Sequence, residues 1–172
     1  MKFSRLFHHP DHHDTYLRNF IFGVEDSLVS TVGLLAGVAA GGVTPRAILT
    51  TGLVLIVVEG FSMGIGSFLT EETTEEMAGE KPRTLEAIKG AITMLISYCL
   101  AGLLPLSPYV FLSGNQAVSL SVIVSLLGLL LLGYGTSLYF GRPHPFKRAF
   151  KMLLLGGAAV GIGMLVGKLF HL

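Results

Sequence analysis

The sequence offers one cysteine, no tryptophan, and charged residues at only 13% of its 172 positions. Cys99 alone cannot close an intrachain disulfide, which excludes a disulfide framework and a zinc-finger site and leaves the redox compartment open. A surplus of charge of either sign is missing too: 12 Lys and Arg stand against 11 Asp and Glu, for a net charge of +1. Neutralising phosphates along a nucleic acid needs a basic excess, so nucleic acid is not an expected partner. No histidine falls inside an apolar stretch; His8, His9, His12 and His13 lie near the start, His144 in a loop and His171 at the end. Without imidazole in a span there is no nucleophile–base pair, and the Glu-x-x-His signature of a ferritin-like oxidation centre is absent. The chain therefore does not read as an enzyme. The first twenty residues lack the apolar core of a cleavable signal peptide. No internal repeat points to an inverted-repeat transporter of the common large types.

What the sequence does have is hydrophobicity: 51% of its residues are hydrophobic, and its mean hydropathy is +0.68. That balance belongs to a membrane protein. From Gly90 to Gly141 there is no Asp, Glu, Lys or Arg. A spanning helix takes about 20 residues, so this run is two spans joined by a turn, which Pro105, Pro108, Gly114 and Asn115 mark. The predicted spans are 20–42, 47–69, 86–105, 117–139 and 149–170, an all-α bundle of five transmembrane helices. A His-rich segment, 1–19, precedes them. With the N-terminus cytoplasmic and the C-terminus outside, the inner segments carry Lys2, Arg5, Arg18, Lys81, Arg83, Lys89, Arg142, Lys147, Arg148 and Lys151, and the outer ones only Arg46 and Lys168. Such asymmetry obeys the positive-inside rule.

Glycine is abundant, 22 residues in all, and many glycines recur every four positions, which puts them on one helix face. Gly33, Gly37 and Gly41 form such a stripe, as do Gly60 with Gly64, Gly157 with Gly161, and Gly163 with Gly167. Small residues at this spacing let helices approach closely in lipid; they specify a compact bundle and no particular function.

Function is sought in the residues that are costly to place in lipid. A carboxylate at mid-bilayer is unfavourable by about 2.5–3.5 kcal/mol and is usually paired, hydrated or liganded. Glu25 and Asp26 lie near the start of span one, and Glu59 lies inside span two. At 1.5 Å per residue, Asp26 is about 9 Å and Glu59 about 15 Å from the inner ends of their spans. Both depths fall in the inner half of the membrane, so on antiparallel neighbours the two acids are candidates for one metal site. Met63 lies one turn beyond Glu59 on the same face. Hard oxygens alone suit Mg²⁺ or Ca²⁺, whereas a thioether shifts preference toward later ions such as Fe²⁺; the alternative for Met63 is core packing. Glu25 points about 100° away from Asp26 around the helix and is a weaker member of the set.

Two further groups suggest metal. Between spans two and three, Glu71, Glu72, Glu75, Glu76 and Glu80 follow closely, and spacing of three to four puts Glu72 and Glu76 on a shared helix face. They either attract cations at the cytoplasmic mouth or form a solvated helical extension. The N-terminal histidines, with Asp11 and Asp14, suit first-row divalent ions, although His-rich tails commonly bind metal without a dedicated role.

These residues carry a family resemblance. Residues 22–37, FGVEDSLVSTVGLLAG, resemble the first-span signature of the vacuolar iron transporter family. Residues 60–66, GFSMGIG, are similar to its Ser-Met segment, residues 83–109 to its third span, and residues 156–169 to its fifth. The resemblance implies a homodimeric, proton-coupled exporter of Fe²⁺, often also of Mn²⁺, with a path lined by spans one and two. The metal is substrate and no cofactor is implied. Asp26 matches the family's first-span aspartate and Met63 its second-span methionine; Glu59 falls where some members have an acid. The sequence departs from the family in Glu25 and Ser27, where Asn and Gly are usual, and in Ser67, where many relatives have an acid. It also lacks the cytoplasmic metal-binding domain that members often insert between spans two and three.

Proton and metal compete for the same carboxylate oxygens, so alternating occupancy of Asp26 and Glu59 is antiport. A non-transporting membrane sensor or assembly protein that kept the fold is the alternative. The absence of an organellar targeting segment suggests a prokaryotic cell membrane.

Overall fold

The computed structural model describes residues 12–170, with side chains from Thr15 onward. Six helices follow in chain order: α1 (His12–Ala40), α2 (Pro45–Met77), α3 (Thr84–Leu106), α4 (Pro108–Phe111), α5 (Gly114–Tyr139) and α6 (Pro145–Leu169). All but the four-residue α4 are long and apolar enough to cross a membrane. This is the all-α five-span bundle that the hydropathy pattern predicts.

Helix α1 is the axis of the bundle and touches each of the other four spans. Its buried residues serve three clusters. Leu35 packs with Ile48, Ile56, Leu106, Tyr109 and Ala117; Leu28 packs with Leu129 and Met152; Val32 and Ala36 pack with Val160. The outer faces of the surrounding helices stay apolar and exposed, as at Val57, Val58 and Phe61 of α2. Burial of apolar area cannot hold such helices together in lipid, where hydrocarbon already surrounds them; close backbone approach does. At the α1–α6 crossing a Cβ on Gly37 would lie 2.6 Å from the carbonyl oxygen of Gly163, and one on Gly163 or Gly167 would run into the Gly33 or Gly37 carbonyl. The α1 stripe therefore meets the Gly163–Gly167 stripe, while Gly157 and Gly161, at the same spacing, face open space.

Helix α2 runs well past the span expected to end at 69. Its 33 residues measure about 50 Å at 1.5 Å per residue, against a hydrocarbon core of about 30 Å. Residues 70–77 contain no Gly or Pro, and Thr73 and Thr74 fold their hydroxyls back onto the Leu69 and Thr70 carbonyls. The helix stops at Gly79, whose φ of 76° suits a residue without Cβ. There Gly79 N–H bonds the Glu76 carbonyl and Glu80 N–H the Glu75 carbonyl, a Schellman closure. Only 78–83 separate α2 from α3.

The start of α1, the α2–α3 link and the α5–α6 link lie at one end of the bundle, which carries Arg18, Lys81, Arg83, Lys89, Arg142, Lys147, Arg148 and Lys151; it is called the basic end below. At the other end the turn between the third and fourth spans is partly helical. Helix α4 buries Tyr109, and Ser121 Oγ donates to the Pro105 carbonyl that the α3 end leaves free.

Candidate functional site

Tyr98 of α3 organises the polar centre of the bundle. Its residue is fully buried, and its backbone carbonyl accepts a 2.7 Å bond from Ser27 Oγ of α1. The phenol reaches α2, donating to Glu59 Oε2 at 2.5 Å. It also lies 2.7 Å from Ser30 Oγ of α1. With its one proton committed to the carboxylate, the phenolic oxygen accepts from Ser30. Three spans are thus joined by a chain of hydroxyls ending on a carboxylate, in a region where a missing hydrogen bond is not replaced by bulk water.

Asp26 sits one turn before Ser30 on α1, half-buried, and within electrostatic range of both Glu59 and Tyr98. Neither Asp26 nor Glu59 belongs to any ion pair found among the described residues. Met63, one turn from Glu59, opens onto a different space. It lines a cleft of about 430 Å³ toward the basic end, with Arg18, Asn19, Phe22, Ser67 and Met94. Across that cleft Asn19 Nδ2 donates to Ser67 Oγ at 2.8 Å. Glu59 and Ser30 instead line a groove of about 700 Å³ between α1, α2 and α6, floored by the glycine stripes. The two clefts meet α2 at adjacent turns, from opposite sides of Glu59 and Met63. Glu25 faces neither; it lines a separate pocket with Arg18, Arg142 and Arg148.

The acids of the α2 extension are dispersed among partners of their own chain. Glu71 lies 3.4 Å from Arg18. Glu72 accepts from Thr84 Oγ1 at 3.1 Å. Buried Glu75 accepts from Arg83 N–H at 2.5 Å, and Glu76 is exposed. Tyr16 of α1 also bonds Glu86 of α3. Among the described residues no three His, Cys, Asp or Glu gather closely enough to hold an ion. Glu72 and Glu76 thus share a helix face, with Glu72 bonded to Thr84 and Glu76 exposed. His8, His9, Asp11 and His171 lie outside the described residues, as do the side chains of His12, His13 and Asp14.

Sequence reasoning missed Tyr98, Ser27 and Ser30. Ser30 carried a signal, since it lies four residues after Asp26 and shares its face. Tyr98 carried none: 39 positions separate it from Glu59, and no spacing rule reaches that far.

A multi-pass bundle in which Asp26 and Glu59 lie inside the spans without an ion pair among the described residues, with clefts along α2, has the makings of a membrane transport protein. The sequence profile of the VIT family matches residues 17–84 and 70–168, and the chain belongs to that family. Over 85 residues it is 42% identical to "Vacuolar iron transporter 1" of Eucalyptus grandis, covering 49% of this chain but only 34% of that protein. Over 231 aligned positions it is 23% identical to "Vacuolar iron transporter 1" of Arabidopsis thaliana, covering 97% of this chain and 92% of that one. It is also 28% identical to "Vacuolar iron transporter homolog 4" of Arabidopsis thaliana, over 86% of this chain and 80% of that one. The alignment of 231 positions is longer than the chain, so the first Arabidopsis protein has residues without counterpart here. The profile match breaks and restarts over 70–84, the end of α2 and its link to α3. The relatives' names are plant and vacuolar, and give the expected prokaryotic cell membrane no support.

Proposed function

We propose that this protein carries a divalent transition-metal ion, Fe²⁺ and also Mn²⁺, out of the cytosol in exchange for protons, with Asp26 and Glu59 as the exchanging groups. The observation that carries this reading is the placement of the two carboxylates. They lie within electrostatic range of each other inside the spans, and Glu59 lines a groove that approaches α2 one turn from the Met63 cleft of the basic end. In this reading the basic end faces the cytoplasm, as the positive-inside rule expects. Metal arrives past Met63, whose thioether favours softer ions over Ca²⁺. Its binding displaces protons from the carboxylates, and reprotonation from the far side releases it. Tyr98 holds one Glu59 oxygen and leaves the other for the ion.

Two carboxylates and a thioether are too few ligands to replace a hydration shell. The proposal therefore includes a homodimer in which α1 and α2 of two copies complete the site. The reading is tested by reconstituting the protein in vesicles and comparing Fe²⁺, Mn²⁺, Zn²⁺ and Ca²⁺ uptake with and without a pH gradient. Gradient-dependent flux of Fe²⁺ or Mn²⁺ with little Ca²⁺ supports it; no flux of any ion, or equal flux of Ca²⁺, contradicts it.

A further inference from the structure

At the basic end, next to the Met63 cleft with which it shares Arg18 and Phe22, Arg18 of α1, Arg142 of the α5–α6 link and Arg148 of α6 line one pocket of about 280 Å³ with Glu25, Phe22 and Phe140. We propose that this pocket binds the phosphate group of an anionic phospholipid in the leaflet at that end. The inference rests on the pocket and the membrane-spanning fold, and does not depend on what the protein transports.

Three guanidinium groups here face a single carboxylate. Arg18 leans toward Glu71 at 3.4 Å while remaining exposed, and Arg142 and Arg148 belong to no ion pair among the described residues. The Nε of Arg148 is buried with no hydrogen-bond partner. Native proteins rarely leave a buried donor in that state, and an unseen ion is one of the standard explanations. A positive-inside bias would account for cations near this end, but it would leave them solvated and scattered. It does not explain their convergence or the orphaned Nε.

The backbone supports the same reading. Helix α6 opens with Pro145, Phe146, Lys147 and Arg148 and has no acid in its first turn. The positive end of a helix dipole favours anions and disfavours such cations, so an anion at this point relieves a repulsion built into the fold. Arg142 is fixed by the end of α5: its N–H bonds the Ser137 carbonyl at 2.9 Å and Gly141 N–H bonds Leu138, a Schellman closure. Its guanidinium rests 5.9 Å from the centre of the Phe140 ring. The arginine fork matches phosphate oxygens in geometry. Exposed Phe22 and Phe140, which line the pocket, offer apolar surface to acyl chains beside basic groups of the kind that hold lipid headgroups at membrane boundaries. That apolar surround favours a lipid over free phosphate.

The test uses the full chain in detergent, with thermal stability and native mass spectrometry as readouts. The probes are phosphatidylglycerol, phosphatidylcholine and inorganic phosphate. Phosphatidylglycerol is expected to raise the Tm more than phosphatidylcholine and to remain bound in the gas phase, with inorganic phosphate inert. In the Arg142→Gln/Arg148→Gln variant the advantage of phosphatidylglycerol should vanish while the Tm in phosphatidylcholine is kept. If that variant does not fold, Arg142→Gln alone, at an exposed link position, carries the same comparison. Equal effects of the two lipids, an equal effect of inorganic phosphate, or a variant that keeps the preference would each overturn the proposal.

Discussion

Along helix α2 and its neighbours, two sets of acids meet opposite circumstances. In the extension beyond the span, Glu71 faces Arg18, Glu72 faces the Thr84 hydroxyl and Glu75 receives the Arg83 amide. Within the spans, the hydrogen-bond partner of Glu59 among the described residues is the Tyr98 hydroxyl, and Asp26 has Glu59 as an electrostatic neighbour. An exposed ion pair such as Arg18 with Glu71 changes stability by about 0–1 kcal/mol, whereas a carboxylate at mid-bilayer costs about 2.5–3.5 kcal/mol. The first set ties α1, α2 and α3 together at little cost. The second opposes folding, and no salt bridge among the described residues offsets it. Acids retained under those terms are where function is expected, while the outer acids stabilise a helix junction.

The comparison can be broken most severely at Glu59. Glu59→Gln keeps a hydrogen-bond acceptor for Tyr98 and removes the charge, so metal flux in vesicles should fall to background while the Tm is unchanged or rises. Flux near the wild-type rate would move Glu59 to the structural set. Tyr98→Phe comes next. A hydrogen bond to a charged group contributes about 1.5–3 kcal/mol, or roughly ten- to a hundredfold at about 1.4 kcal/mol per decade. Its loss frees the Glu59 carboxylate from its fixed orientation, so flux per folded molecule at fixed metal concentration should drop. Flux per folded molecule at the wild-type rate, with only the Tm lowered, would mean that Tyr98 only supports packing. On the other side of the comparison, Glu75→Ala strands the Arg83 amide and should lower stability by about 1–3 kcal/mol, read as a lower Tm, with flux per folded molecule preserved. The smallest effect belongs to Glu76→Gln: an exposed position of this kind shifts stability by no more than about 0.5 kcal/mol, and flux should match the wild type. A clear loss of flux at low metal concentration in Glu76→Gln would show that the extension captures ions and erase the distinction.

The five spans were legible because a charge-free run and its Pro-Gly punctuation leave few other solutions in lipid. The length of α2 was less so: Thr70 to Met77 is polar, and polarity marks the end of a span without marking the end of a helix. Glycine spacing showed which residues share a face but not what the face meets. Gly163 and Gly157 each begin a four-residue stripe on α6, yet one stripe locks onto α1 and the other faces open space. Asp26 and Glu59 could be singled out because their cost in lipid is a property of the residue and its depth. Their hydroxyl partners could not, since Tyr98 reaches Glu59 through the packing of α2 on α3, which no local pattern encodes. The dispersal of the outer acids was hidden for the same reason. Arg18, Thr84 and the Arg83 amide arrive from other helices once the bundle has closed.

Asp26, half-buried on α1 and the electrostatic neighbour of Glu59, tests most directly whether a carboxylate inside the bundle exchanges metal for protons. In vesicles containing Asp26→Asn, with metal and internal pH recorded together, both metal movement and the accompanying proton movement should disappear while the protein stays folded. Metal flux that continues at the wild-type rate, still coupled to protons, would contradict the account.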